Sequence, residues 1–239
     1  MDQFNRQSLL IGEENTTKLI NSSIIIFGLG GVGGYTVEAL ARAGVGTITL
    51  VDFDTIDLTN LNRQIIGLHS TIGQEKTTLF KERILDINPK AKVITYNLRV
   101  TPENINSLFE DKNYDYIVDA IDTVSAKLAL IEISKEKNIP LISSMGTGNK
   151  LDPTAIQVAD ISKTTVCPLA RVIRQELKKR RIKKVKVVFS TEIAIKPKNE
   201  ERSREKSTNV GSISFVPSVA GLIIAGEVVK DMIKNNTLS

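Results

Sequence analysis

The 239-residue chain has one cysteine, Cys167. That count excludes an internal disulfide framework and any all-thiolate zinc site made within one chain. Long apolar runs are also missing. The uncharged stretch Val216 to Gly226 is far shorter than the roughly 20 residues a bilayer-spanning helix needs. It reads as a core or dimer-interface helix, and no stable membrane insertion is expected. The opening residues, Met1-Asp2-Gln3-Phe4-Asn5-Arg6, are polar and lack the apolar core of a signal peptide, so a cytoplasmic protein is expected. Against these absences stands an ordinary globular composition, 41% hydrophobic and 25% charged. The length allows one large α/β domain, or one domain with a small appendage.

Charge is unevenly placed. The formal net charge is +5, yet residues 163–206 hold fifteen Lys/Arg against five Glu, a local excess of +10. Such a segment suits a polyanionic partner. Its densest part contains Arg171, Arg174, Lys178, Lys179, Arg180, Arg181, Lys183, Lys184 and Lys186, with Glu176 the one acid among them. Phosphate backbones reward that density through counterion release. No aromatic residue is interleaved there for base stacking.

The pattern along the first 150 residues alternates strand and helix, the mark of a parallel sheet. An N-terminal arm and a short helix, Glu13 to Asn21, come first. Predicted strands are Ser23 to Phe27, Thr47 to Val51, Val93 to Tyr96, Tyr116 to Asp119 and Pro140 to Ser143. Predicted helices run from Tyr35 to Ala43, Glu75 to Ile87 and Ser125 to Lys137, with another opened by Thr101-Pro102 as cap and first turn. From Leu151 the regularity changes. Strands at Ala155 to Asp160 and Val185 to Ser190 flank a basic helix, Leu169 to Arg181, and a charged loop, Lys196 to Asn209, precedes a final apolar helix from Pro217 to Ile233. The expected fold is a Rossmann-like, doubly wound, mainly parallel α/β sheet. A core over residues 1–150 is extended by residues 151–239, packed with it as one domain.

Gly28-Leu29-Gly30-Gly31-Val32-Gly33 satisfies G-x-G-x-x-G between a strand and a helix. Without side chains, backbone N–H groups approach phosphates at the positive end of the helix dipole. Asp52, nineteen residues past Gly33 at the end of the second strand, is placed to hold ribose hydroxyls. NAD is the usual occupant of such a pair, and an oxidoreductase stays open on these residues alone. Arg63, in Asn60-Leu61-Asn62-Arg63-Gln64, and Lys76 add two cations beside the loop. They suit a triphosphate in which charge builds during attack at phosphorus. Asp122, in Asp119-Ala120-Ile121-Asp122, would face the loop across the crevice between the first and fourth strands and hold Mg²⁺ against the phosphates.

Together the glycine loop, Val51-Asp52-Phe53-Asp54, the Asn60–Gln64 motif, Lys76 and Asp122 resemble the adenylating domain of the ubiquitin-activating-enzyme superfamily. The resemblance implies ATP·Mg²⁺ binding and adenylation of a carboxylate. It implies a nucleotide site made by Gly28, Gly30, Gly31, Gly33, Asp52, Asp54, Asn60, Arg63 and Lys76. Arg63, Lys76 and Asp122 would take part in catalysis, Asp122 as metal ligand. Arg6 matches an arginine that in relatives reaches the partner subunit's ATP, which implies a homodimer.

Two subclasses compete. Activators of ubiquitin-like sulfur-carrier proteins often carry paired Cys-x-x-Cys zinc motifs or a catalytic cysteine. This chain has no such pairs, and Cys167, before Pro168 at the head of the basic helix, is the only nucleophile a thioester route would have. A lone cysteine is more often inert packing. Asn88-Pro89, Val100 to Asn104, Gly146 to Thr154 and Phe189-Ser190-Thr191-Glu192 instead resemble the tRNA threonylcarbamoyladenosine dehydratases. That resemblance implies ATP-dependent cyclisation of a threonylcarbamoyl adenosine in the tRNA anticodon loop. The basic stretch independently supports an RNA substrate, with Arg171, Arg174, Lys178, Lys179, Arg180, Arg181, Lys183 and Lys184 as its tRNA-binding residues. A sulfur-transfer partner and a monovalent cation stay open, as does a non-catalytic nucleic-acid scaffold.

Overall fold

A computed structural model describes residues 2–196 and 210–234. The charged loop expected over 196–209 lies, beyond Lys196, outside the described residues. Two short helices, α1 (Asn5–Ile11) and α2 (Glu13–Ile20), open the chain and are separated by Gly12 at φ 85°. A seven-residue helix, α1, thus stands where an arm was expected. Then β1 (Ser23–Phe27), α3 (Gly33–Arg42), β2 (Thr47–Asp52), α4 (Lys76–Ile87), β3 (Lys92–Asn97), β4 (Tyr116–Asp119), α5 (Val124–Glu136) and β5 (Leu141–Ser144) follow. The remainder is β6 (Ile156–Asp160), α6 (Pro168–Lys179), β7 (Lys186–Ser190) and α7 (Phe215–Lys234).

These strands form one seven-stranded sheet in the order β3-β2-β1-β4-β5-β7-β6. Every pairing is parallel except β6 with β7. The chain order reverses beside β1, so the carboxyl ends of β1 and β4 frame the crevice where such sheets take ligands. Phe27 pairs with Val51 on one side and Asp119 on the other, which brings the glycine loop, Asp52 and the Asp119–Asp122 turn to one edge.

Both faces of the sheet are covered, which explains why the strands read as β-branched runs rather than alternating ones. Ile24 and Ile26 of β1 point to a core with Leu40 of α3, Phe80 of α4 and Ile224 of α7. Ile25 and Phe27 point to the opposite core with Leu130 of α5 and Ile173 of α6. Full burial of each such side chain contributes about 1.5–3 kcal/mol. The last helix, α7, packs on α3 at close range. A Cβ at Gly221 would overlap the Val32 carbonyl oxygen, and the Thr36 hydroxyl donates to the Gly221 carbonyl at 3.0 Å.

One expected helix is absent. Thr101-Pro102 opens a turn followed by a 3-10 segment, Ile105–Leu108. The reason is Asn104, whose side-chain oxygen accepts from the Thr101 N–H at 2.8 Å while its amide donates to Arg99. The side chain closes a local turn that competes with helix propagation.

Candidate active site

The glycine loop is shaped by near-contact with the turn after β4. Gly28 has φ +85°, and a Cβ there would come within 2.7 Å of the Ala120 carbonyl oxygen. At Gly33 a Cβ would collide with the Gly28 carbonyl, so the turn can close only on a bare α-carbon. Gly30 differs, because its open side meets nothing nearer than the Gln64 amide nitrogen at 3.9 Å. Backbone at Gly30 is therefore accessible to an incoming anion from the side on which Gln64 stands.

A hydrogen-bonded relay runs from this loop to Lys76. The Leu29 N–H donates to Asp52 Oδ2 at 2.6 Å, and the Asp54 N–H donates to Asp52 Oδ1 at 2.8 Å. Asp54 Oδ2 in turn accepts from Lys76 Nζ at 2.9 Å. Lys76 is only 4% exposed, so its ammonium is held in place at the cost of lost hydration, which the Asp54 carboxylate offsets. Each Asp52 oxygen keeps a further lone pair for a ribose hydroxyl. Asp54, grouped with the nucleotide ligands from sequence, fastens Lys76 through one of its two carboxylate oxygens.

Asn60 also shapes the turn that carries Arg63. Its side-chain oxygen accepts from the Asp57 N–H at 3.2 Å, and its carbonyl accepts from the Arg63 and Gln64 N–H groups. This short 3-10 turn, Leu58–Asn60, projects Arg63 along the glycine loop. The Arg63 Cγ lies 3.3 Å from the point a Gly31 Cβ would occupy, and its guanidinium donates to the Thr59 carbonyl and Asn62 Oδ1 at 2.8 and 3.0 Å. Asp122 is exposed, two residues past Ala120. No cluster of three or more His, Cys, Asp or Glu side chains that could hold a metal occurs among the described residues. A single carboxylate suits a magnesium ion that arrives on nucleotide phosphates, which takes one or two protein carboxylates. Arg6 lies exposed on α1, apart from these bonded contacts.

Three contributors were not singled out from sequence. Gln64 is buried beside Gly30 with its side-chain oxygen unpartnered. Pro217 of α7 would touch a Gly31 Cβ at 3.2 Å, so the final helix walls the loop. Third is a dry cluster behind the β4 turn. Lys127, Asp119 and Ser143 are all fully buried; Lys127 Nζ donates to Asp119 Oδ2 at 3.0 Å, to Ser143 Oγ at 3.1 Å and to the Ser144 carbonyl at 2.6 Å. Asp119 Oδ1 accepts from the Ile121 N–H at 3.1 Å, which ties the turn bearing Asp122 to β5. An acid closing a strand with a lysine eight positions on was the available signal, but it is a common surface pattern.

Two of the sequence motifs also come together. The Glu192 carboxylate accepts from the Leu151 and Asp152 N–H groups at 2.9 Å each, and Lys150 Nζ donates to the Glu192 carbonyl at 2.6 Å. The Gly146–Thr154 segment is thereby stitched to the end of β7.

The ThiF family model matches residues 4–239. The chain belongs to the ThiF family. Among relatives, the tRNA threonylcarbamoyladenosine dehydratase of Bacillus subtilis is 46% identical over 245 residues, covering 98% of this chain and 96% of that protein. The crystal structure of the Escherichia coli tRNA N6-threonylcarbamoyladenosine dehydratase in complex with ATP superposes with a TM-score of 0.89 at 36% identity, covering 98% of this chain and 94% of that one. Its complex with AMP gives 0.90 at 35% identity, covering 99% and 96%.

In this ThiF-family chain the basic segment divides in two. Arg174 donates to the Thr164 carbonyl and hydroxyl; Lys179 and Arg180 pair with Glu176, Arg180 also with Glu132; Lys186 pairs with Glu227 and Asp231. Burial lowers and the two acids raise the Lys186 ammonium pKa, and the acids prevail. Arg171, Lys178, Arg181, Lys183 and Lys184 are exposed, and no ion pair forms on them among the described residues. Cys167 is 3% exposed and caps α6 against Gly146. A thiol so enclosed is packing rather than a nucleophile for a bulky carrier.

Proposed function

We propose that the chain catalyses ATP-dependent dehydration of threonylcarbamoyladenosine in the tRNA anticodon loop, through adenylation of the threonyl carboxylate. The observation that carries the reading is the bonded relay from Leu29 through Asp52 and Asp54 to Lys76, beside a glycine loop lined by Arg63. It presents backbone donors, a ribose-binding carboxylate and two cations along one edge of the sheet, as a triphosphate requires. The ATP and AMP complexes of the Escherichia coli relative support an adenine nucleotide as the ligand.

In the proposed sequence the carboxylate oxygen attacks the α-phosphorus and pyrophosphate leaves. Arg63 and Lys76 stabilise the charge that builds on the phosphate oxygens. Asp122 would hold Mg²⁺, which supplies further neutralisation of the triphosphate. A nucleophilic atom within the threonylcarbamoyl group then attacks the activated carbonyl, closes the ring and expels AMP. The oxygen formally lost as water departs on AMP, so ATP gives AMP and pyrophosphate and no protein thioester forms. The buried Cys167 agrees with that route and disfavours the sulfur-carrier activator.

A homodimer completes the reading, with Arg6 of one protomer reaching the other's nucleotide. The test is ATP–pyrophosphate exchange with and without tRNA, alongside mass spectrometry of the tRNA nucleosides. Exchange that requires tRNA and yields a product lighter by one water is expected. Tight NAD binding without exchange would sink it.

A further inference from the structure

We infer that the tRNA lies along α6 with a defined direction, its anticodon loop at the Arg171 end and its stem running toward Lys184. The inference rests on the function proposed above and adds where the body of the RNA goes.

Helix α6 presents three different sides. Ala170, Ile173 and Leu177 are buried against the core. Glu176 and Arg180 turn toward α5, where Arg180 meets Glu132 at 2.7 Å. The remaining flank carries Arg171, Gln175 and Lys178, spaced i, i+4 and i+7 so that they stand in one row. Neither cation on that row has an acidic partner among the described residues, and the exposed cations Arg181, Lys183 and Lys184 follow in the turn after the helix. A cation already paired gains little from a phosphate, because its own partner must first be released. Five exposed cations with no ion pair among the described residues, two on the α6 row and three in the turn after it, are therefore the electrostatic footprint, not the nine of the whole segment. No large apolar side chain stands in the row, as an anionic membrane surface would require.

The direction follows from topology. Helix α6 begins beside the carboxyl edge of the sheet, for Cys167 Sγ lies 3.7 Å from a Cβ position on Gly146, just past β5. It ends at the opposite edge, where Lys186 opens β7 in register with Ile142 of β5. The turn there is anchored by Lys135 Nζ, which donates to the Lys184 carbonyl at 2.8 Å. Its Arg181 and Lys184 both hold positive φ, 59° and 57°. Twelve residues of helix cover about 18 Å, so the row leads away from the adenylation crevice along the side of the molecule. The reacting adenosine must enter the crevice, which leaves the stem phosphates for the far end.

The test places a photo-crosslinking p-benzoylphenylalanine at position 171 or at position 184 of the full chain, with threonylcarbamoylated tRNA as the probe. Arg171→p-benzoylphenylalanine is expected to crosslink in or next to the anticodon loop, and Lys184→p-benzoylphenylalanine to stem nucleotides farther from it. The reverse order, or a crosslink at 171 with none at 184, would overturn the direction. In parallel, Lys178→Ala/Arg181→Ala/Lys183→Ala/Lys184→Ala should lower the slope of log affinity against log salt by about 3, at roughly 0.7–0.9 per phosphate contact. An unchanged slope overturns the footprint. Nucleoside analysis of the unsubstituted enzyme's tRNA separates the two ideas. Cyclised product with reversed crosslinks sinks the direction alone, and absence of product sinks both.

Discussion

Lys76 and Lys127 are both buried, but their surroundings assign them different tasks. Lys76 has one bonded partner among the described residues, Asp54, whose side chain is 48% exposed. Its ammonium is held yet still has donors to offer. Lys76→Ala should lower ATP–pyrophosphate exchange by about 100-fold, the scale of one preorganised charge donor. Because water can resolvate Asp54, the melting temperature should move by only a few degrees. A mutant with full exchange would remove Lys76 from the proposed chemistry. Lys127 has every donor occupied by Asp119, Ser143 and Ser144 in a fully dry setting. Lys127→Met strands the Asp119 carboxylate and should cost about 3–5 kcal/mol, read as a drop of roughly 10 °C in melting temperature for a chain of this size. Lys127→Met/Asp119→Leu should recover most of it, and a single mutant as stable as the double would refute the stranded-charge account.

At the scale of elements, the glycine loop shows that identical residues answer to different constraints. Gly33→Ala should fail to fold well, since its Cβ collides with the Gly28 carbonyl, whereas Gly30→Ala has open space and should keep its melting temperature. Gly30→Ala should still weaken ATP binding by tenfold or more in calorimetry, because its methyl projects where phosphate must approach the backbone. Helices α3 and α4 are joined by Glu38, which accepts from Arg83 Nε at 2.6 Å and from Arg42 Nε at 2.9 Å. Burial raises the Glu38 pKa, but the hydrogen bonds and charges of Arg83 and Arg42 together outweigh it and leave it below the usual carboxylate value. A depressed folded-state pKa gives stability that is present above the ordinary glutamate range and lost as pH falls through the lowered value. Glu38→Gln should therefore lower stability at neutral pH and flatten the acid limb below about pH 4.5, measured by denaturant titration across pH. Strand ends such as Ser23–Phe27 and Tyr116–Asp119 were legible because turn formers bound a β-branched or apolar run. The failed Thr101-Pro102 helix was not, since the capping signal says nothing of Asn104 folding back.

For the whole molecule, residues 151–196 and 210–234 complete the sheet and one core rather than decorate them. β7 pairs with β5, and Val216, Ala220, Ile224 and Val228 of α7 cover the face built by α3 and β1. A chain ended before Phe215 should therefore be insoluble or bind a hydrophobic dye as a molten species, checked by light scattering and dye fluorescence. A soluble, cooperatively melting truncation would show that α7 is dispensable. The residues alone determined the fold class and pointed to a nucleotide at one edge of the sheet, and the reaction type came from the resemblance of their combined motifs to a known family. Periodicity, a glycine loop and widely spaced cations are local facts whose pairing the right-handed parallel crossover rule supplies. Only the tertiary structure decided which charges are free to act. Asp54 proved to anchor Lys76, Asn60 to build the turn behind Arg63, and Arg174, Lys179, Arg180 and Lys186 to be engaged within the chain. The physical reason is that a charge's availability depends on its neighbours in space and on its burial, and neither is written in sequence spacing.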